Sequence, residues 1–112
     1  MSTEAAVAEP VKTLELKPLV VEAVCAVYDP EIPVNIYELG LIYDIVIDAA
    51  GVVHVKMTLT SPACPSAQQL PMEVASRIKA IPGVADADVE IVWEPTWSMD
   101  KMSDAARLQL GL

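Results

Sequence analysis

Between residues 41 and 60 the chain alternates apolar and polar side chains with a period of two, and no other feature constrains its fold as much. Tyr43, Ile45 and Ile47 interleave with Asp44, Val46 and Asp48. After Ala49-Ala50-Gly51, Val53, Val55, Met57 and Leu59 interleave with His54, Lys56, Thr58 and Thr60. Side chains of a strand point alternately to its two faces, so this is a hairpin with one buried and one polar face.

Helical periodicity flanks the hairpin on both sides. Leu16, Leu19, Val20, Ala23, Val24 and Val27 recur at the spacing of one helix face, with Glu15, Lys17 and Glu22 elsewhere. That helix must stop by Asp29, because Pro30 disfavours helical geometry in the residue before it. Ala67, Leu70, Val74, Ile78 and Ile81 mark a second helix, stopped by Pro82-Gly83. Pro71 either bends this helix or places the start of its regular part near Gln68, where a missing N–H costs little. A third strand is expected over residues 84–93, with Val89, Ile91 and Trp93 inward and Asp88, Glu90 and Glu94 outward. A turn at Pro95 and a short helix from Ser103 to Leu110, ended by Gly111, complete the chain.

The order α-β-β-α-β predicts a two-layer α/β sandwich: a three-stranded mixed sheet with two helices on one face and a short C-terminal helix. The second face stays partly open to a partner or to another copy. Residues 1–13 read as a disordered tail without periodicity, and residues 14–112 as a single domain.

Composition narrows the function. The chain is 54% hydrophobic yet has no Phe, so its core is built of Val, Ile, Leu and Ala. Sixteen acidic against seven basic residues give a net charge of −9, which argues against nucleic acid and anionic membranes, since both require Lys/Arg clusters. Met1 to Glu9 is small and acidic, unlike a secretory signal, and the apolar stretch from Leu19 to Tyr28 is about half a membrane span and contains Glu22. The two cysteines, Cys25 and Cys64, make neither a disulfide framework nor a C-x-x-C pair, and a cytoplasmic location is the default.

Cys64 is the residue placed as if to react. In Thr60-Ser61-Pro62-Ala63-Cys64-Pro65, two prolines restrict the backbone, and Pro65 suits the first position of a helix. Cys64 would then be an N-cap, where unpaired N–H groups and the helix dipole favour a thiolate; the alternative is a small buried hydrophobe. Cys25, beside the stripe of the first helix, reads as a packed core thiol, and His54 as a solvated strand residue. Asn35 and Glu38 have capping-box spacing, Gly40 fits a left-handed helix end, and Asp29 is either an ordinary cap or functional. Glu31 has no structural role in view.

A hydrolytic Cys-His pair is disfavoured, because His54, the one histidine, would have to fold back roughly 20 Å from mid-strand to meet Cys64. A closed iron–sulfur or zinc site fails on ligand count, since one chain supplies one well-placed thiolate and at most the carboxylates of Asp29 or Glu31. What remains is a labile cluster or iron shared between chains or with a client. Trp93 and Trp97, in a chain poor in aromatics, either pack the core or face a partner.

Asp29-Pro30-Glu31, Leu39-Gly40-Leu41-Ile42, Thr60 to Cys64-Pro65 and Trp93-Glu94-Pro95-Thr96-Trp97-Ser98 together resemble the SufT/PaaD-like family of small iron–sulfur assembly proteins. The tail from Met99 to Arg107 with Leu110-Gly111 is most similar to the SufT branch, and the PaaD-like metal-binding cysteines are absent from it. The resemblance implies a non-enzymatic accessory factor that helps deliver clusters or iron to client apoproteins, beside the SUF machinery. It carries the functional role onto Cys64 as a transient thiolate ligand, with Asp29, Glu31 and Thr60 in the surrounding loops and Trp93 and Trp97 for partners. The rival reading is a metal-free adaptor linking the assembly machinery to its clients.

Overall fold

A computed structural model describes residues 10–29, 32–60 and 69–111. Helix α1 (Pro10–Cys25) leads into a four-residue helix α2 (Ile36–Leu39), and the hairpin β1 (Ile42–Ile47) and β2 (Val52–Met57) follows. Helix α3 (Leu70–Lys79) crosses to β3 (Asp86–Ile91), and a 3₁₀ turn (Met99–Lys101) precedes α4 (Asp104–Leu110). The sheet order is β1-β2-β3, with β1 antiparallel and β3 parallel to the central strand. This is the expected mixed sheet: the tight Ala49-Ala50-Gly51 turn gives the antiparallel pair, and α3 provides the crossover that a parallel pair requires.

Register divides the sheet cleanly. Ile45 and Ile47 pair with Val55 and Val53, and these pair with Val89 and Ala87, so one face is apolar across all three strands. Leu16, Val20 and Val24 of α1 and Leu70, Val74 and Ile78 of α3 are buried in the same core. The opposite face carries Asp44, His54, Lys56, Asp86, Asp88 and Glu90 at alternating positions.

Several boundaries differ from the expectation. The first helix begins at Pro10, inside the stretch read as a tail, because proline is tolerated in a first turn that needs no N–H from it. Its buried line is the strict i+4 row Leu16, Val20 and Val24, and Leu19, one position off that row, is 42% exposed. Pro71 is resolved as a first-turn residue: α3 starts at Leu70 with Gln69 as its N-cap. The expected N-cap role of Cys64 falls within 61–68, outside the described residues. Strand β3 stops at Ile91, so Trp93 lies beyond the sheet rather than in its inward row and is 46% exposed. No helix among the described residues is long and apolar enough to cross a membrane.

Candidate functional site

The parallel strands β2 and β3 end together, with Met57 opposite Ile91. Beyond them the chain segments diverge, and the gap between them is a groove of about 430 Å³. Thr58, Leu59 and Thr60 form one wall; Trp93, Glu94 and Trp97 form the other. In open α/β sheets the carboxyl ends of parallel strands are where ligands bind, because diverging loops leave a crevice there.

Each wall is held by identifiable bonds. The Thr58 N–H donates to Leu41 O at 2.8 Å, and the Val92 N–H to Met57 O at 2.8 Å, extending the ladders one residue past the strands. The Trp97 indole N–H donates to Leu39 O at 2.7 Å, so its ring is fixed against the end of α2. The Tyr43 hydroxyl donates to Pro95 O at 2.8 Å, and the Lys101 ammonium lies 5.4 Å from the Tyr43 ring centroid. Thr58 is 1% exposed, and its hydroxyl has no hydrogen-bond partner among the described residues.

The neighbouring loop leads from α1 into α2. Asp29 is 5% exposed, and its Oδ1 accepts from the Ile32 N–H at 3.0 Å, so it does cap a turn. Tyr28 and Asn35 form a bridge, and the Ile36 N–H donates to Val27 O at 2.9 Å, closing the loop at its base. Asn35 Oδ1 accepts from the Glu38 N–H at 2.9 Å, and Gly40 ends α2 in the left-handed region at φ 83°. The capping motif legible in the sequence is therefore present.

Of the sequence-derived candidates, Thr60, Trp93 and Trp97 line one groove. Asp29 sits outside that lining, on the loop before α2. Cys64 and Glu31 lie outside the described residues. Cys25 is a free, half-buried thiol, and burial, with Glu38 adding to it, pushes its pKa up, as befits a packed residue and not a thiolate. Among the described residues, no three His, Cys, Asp or Glu side chains are grouped to hold a metal ion.

Sequence reasoning missed two features. His54 is not simply solvated: its Nε2 lies 3.0 Å from Asp48 Oδ2 and its Nδ1 3.5 Å from Asp88 Oδ2. The hydrogen bond with Asp48 raises the imidazole pKa above its ordinary value, burial opposes the rise, and Asp88 adds to it. Asp48, six residues away at the hairpin turn, was available to a pairing argument; Asp88 arrives only through the β3 crossover. The unpartnered Thr58 hydroxyl was the other omission, hidden by its place in a polar alternation that continues past the strand end.

A family model described as iron–sulfur cluster assembly protein matches residues 19–91. An Fe-S protein maturation auxiliary factor of Porphyromonas gingivalis is 45% identical over 92 residues, spanning 82% of this chain and 88% of that protein. The Fe-S protein maturation auxiliary factor SufT of Staphylococcus aureus is 43% identical over 86 residues, spanning 77% of this chain and 98% of that protein. The crystal structure of a domain of unknown function, DUF59, from Bacillus anthracis superposes with a TM-score of 0.84 at 33% identity, covering 93% of this chain and 99% of that one.

Proposed function

From the premise that the chain belongs to the iron–sulfur cluster assembly protein family, we propose that it acts as an accessory factor, passing clusters or iron to client apoproteins through a transient Cys64 thiolate. The cluster is cargo in this reading, and its remaining ligands come from a second copy or from the client. Asp29 and Glu31 serve the same function in this reading, while Trp93 and Trp97 receive the protein partner. One observation carries the proposal. Thr60, four residues before Cys64 in the chain, lines the same groove as both tryptophans.

Two features support the individual roles. The relatives are named maturation auxiliary factors, a description of helping rather than of catalysing a reaction. Burial, with Glu38 adding to it, raises the Cys25 thiol pKa and disfavours its thiolate, so Cys64 is the better candidate of the two cysteines for ligation.

The test is a Cys64→Ser replacement in the producing organism, with activities of iron–sulfur enzymes measured under iron limitation. The proposal expects those activities to fall severalfold while enzymes without clusters keep theirs. Anaerobic addition of iron and sulfide to the purified protein should give sulfide-to-iron charge-transfer absorbance in the wild type and not in Cys64→Ser. Normal client activities in that strain, with losses in Trp93→Ala, would instead establish a metal-free adaptor.

A further inference from the structure

Trp93 and Thr58 both line the groove beside Thr60. Trp93 leaves 46% of its surface in water, although an indole is the largest apolar body available to this chain and one of two it has. Thr58 lines the same groove, 1% exposed, with a hydroxyl that finds no partner among the described residues. A buried hydroxyl without a hydrogen bond destabilises the free protein, and Val would fill the same volume without that penalty. The hydroxyl is shielded from the groove, whereas the exposed tryptophan is explained by an occupant that supplies apolar surface there.

The groove also states the chemistry of its occupant. Its volume of about 430 Å³ accommodates one large side chain with backbone on either side, and is too small for a docked helix. Among the described lining residues Glu94 is the sole ionisable one, and the chain as a whole carries −9. A second copy of this chain would bring the same Glu94 and the same net charge, so like charges oppose self-association here. A segment with Lys or Arg next to its apolar side chain is complementary instead.

We propose that this groove binds an extended segment of a client protein, seating one large apolar side chain against Trp93 and Trp97, with an adjacent basic residue at Glu94. The word client rests on the assembly function proposed above; the recognition chemistry rests on the groove alone.

Calorimetric titration of the full chain with the peptide acetyl-Ser-Lys-Leu-Arg-Ser-amide tests this directly. Saturable binding is expected, with Trp fluorescence shifting over the same concentration range. Trp93→Ala and Glu94→Lys should each weaken it at least tenfold, and replacing the peptide's Leu by Ser or its basic residues by Glu should do the same. Thr58→Val, which removes a hydroxyl shielded from the groove, should raise the melting temperature of the free protein and leave peptide binding unchanged. Equal affinity for the acidic peptide, unchanged binding in Trp93→Ala, no saturable binding at all, or a dimer in sedimentation that Trp93→Ala dissolves would each overturn the proposal. Binding should persist in Cys64→Ser. Peptide binding with intact client maturation in that variant would sink the thiolate function and leave the groove standing; the reverse pattern would sink the groove alone.

Discussion

At His54 three strands are tied by one side chain, since Asp48 closes the hairpin and Asp88 comes from β3. The imidazolium is favoured by the hydrogen bond to Asp48, which in turn holds that carboxyl below its ordinary value of 3.8. The signs follow from linkage. A group whose pKa is raised by folding, as for His54, stabilises fully below its ordinary value of 6.5 and stops doing so as pH climbs through the folded value. A depressed carboxyl such as Asp48 stabilises above 3.8 and loses that contribution as pH falls through its folded value. The melting-temperature difference between wild type and His54→Gln should therefore be largest between pH 3.8 and 6.5 and shrink above it. Partly exposed pairs contribute about 0.5–1 kcal/mol, so a difference of a few degrees is expected. A difference that stays constant far above pH 6.5 would refute the role of the imidazolium. The alternating pattern correctly placed His54 on the polar face, but strand register across a crossover is a tertiary fact, and Asp88 could not be paired with it from sequence spacing.

Among the α-helices, α2 is the shortest, and it is capped at both ends. Asn35 caps its first turn, Gly40 ends it, and the Ser103 N–H donates to Glu38 O at 2.8 Å, while the Ser103 hydroxyl bonds the Glu38 carboxylate. The sequence showed the caps because they use residues three to five apart. It did not show that Gly40 is also the place where the C-terminal segment crosses. A Cβ on Gly40 would fall 2.2 Å from the backbone oxygen of Lys101 and would sit on a left-handed backbone at φ 83°. Left-handed strain of about 1–2 kcal/mol and a core-type clash of about 1–3 kcal/mol should add in Gly40→Ala. Its melting temperature should drop by roughly 10 °C or more in a thermal scan. Ser103→Ala should lose about 1 kcal/mol, because its hydroxyl also caps α4 by accepting from the Ala106 N–H at 3.1 Å. A Gly40→Ala protein as stable as the wild type would mean that the Lys101 backbone yields, and that the crossing does not fix α2.

For the whole molecule, the question is whether the sheet and its two long helices suffice without the C-terminal segment. The family model ends at residue 91, yet the chain after it is not an appendage. Met102 and Ala106 are buried in the common core with Ile36, Leu39 and Leu41. Trp97 bonds Leu39 O, Tyr43 bonds Pro95 O, and the Gln109 amide donates to Pro33 O at 3.1 Å, so the segment contacts β1, α2 and the loop before it. Burying a methionine contributes about 1.5–3 kcal/mol, and each hydrogen bond about 1 kcal/mol. Summed over these contacts, the loss is comparable to the roughly 5–15 kcal/mol that keeps a domain folded. A chain truncated after Ile91 should therefore show no cooperative thermal transition and should bind a hydrophobic dye, whereas one truncated after Leu110 should melt like the full chain. Amide exchange reports the same result locally, with protection lost first at Leu39 and Leu41 as the strap is shortened. A cooperative melt of the Ile91 truncation within a few degrees of wild type would show that the segment serves the groove through Trp93 and Trp97 and leaves the core to the rest of the chain.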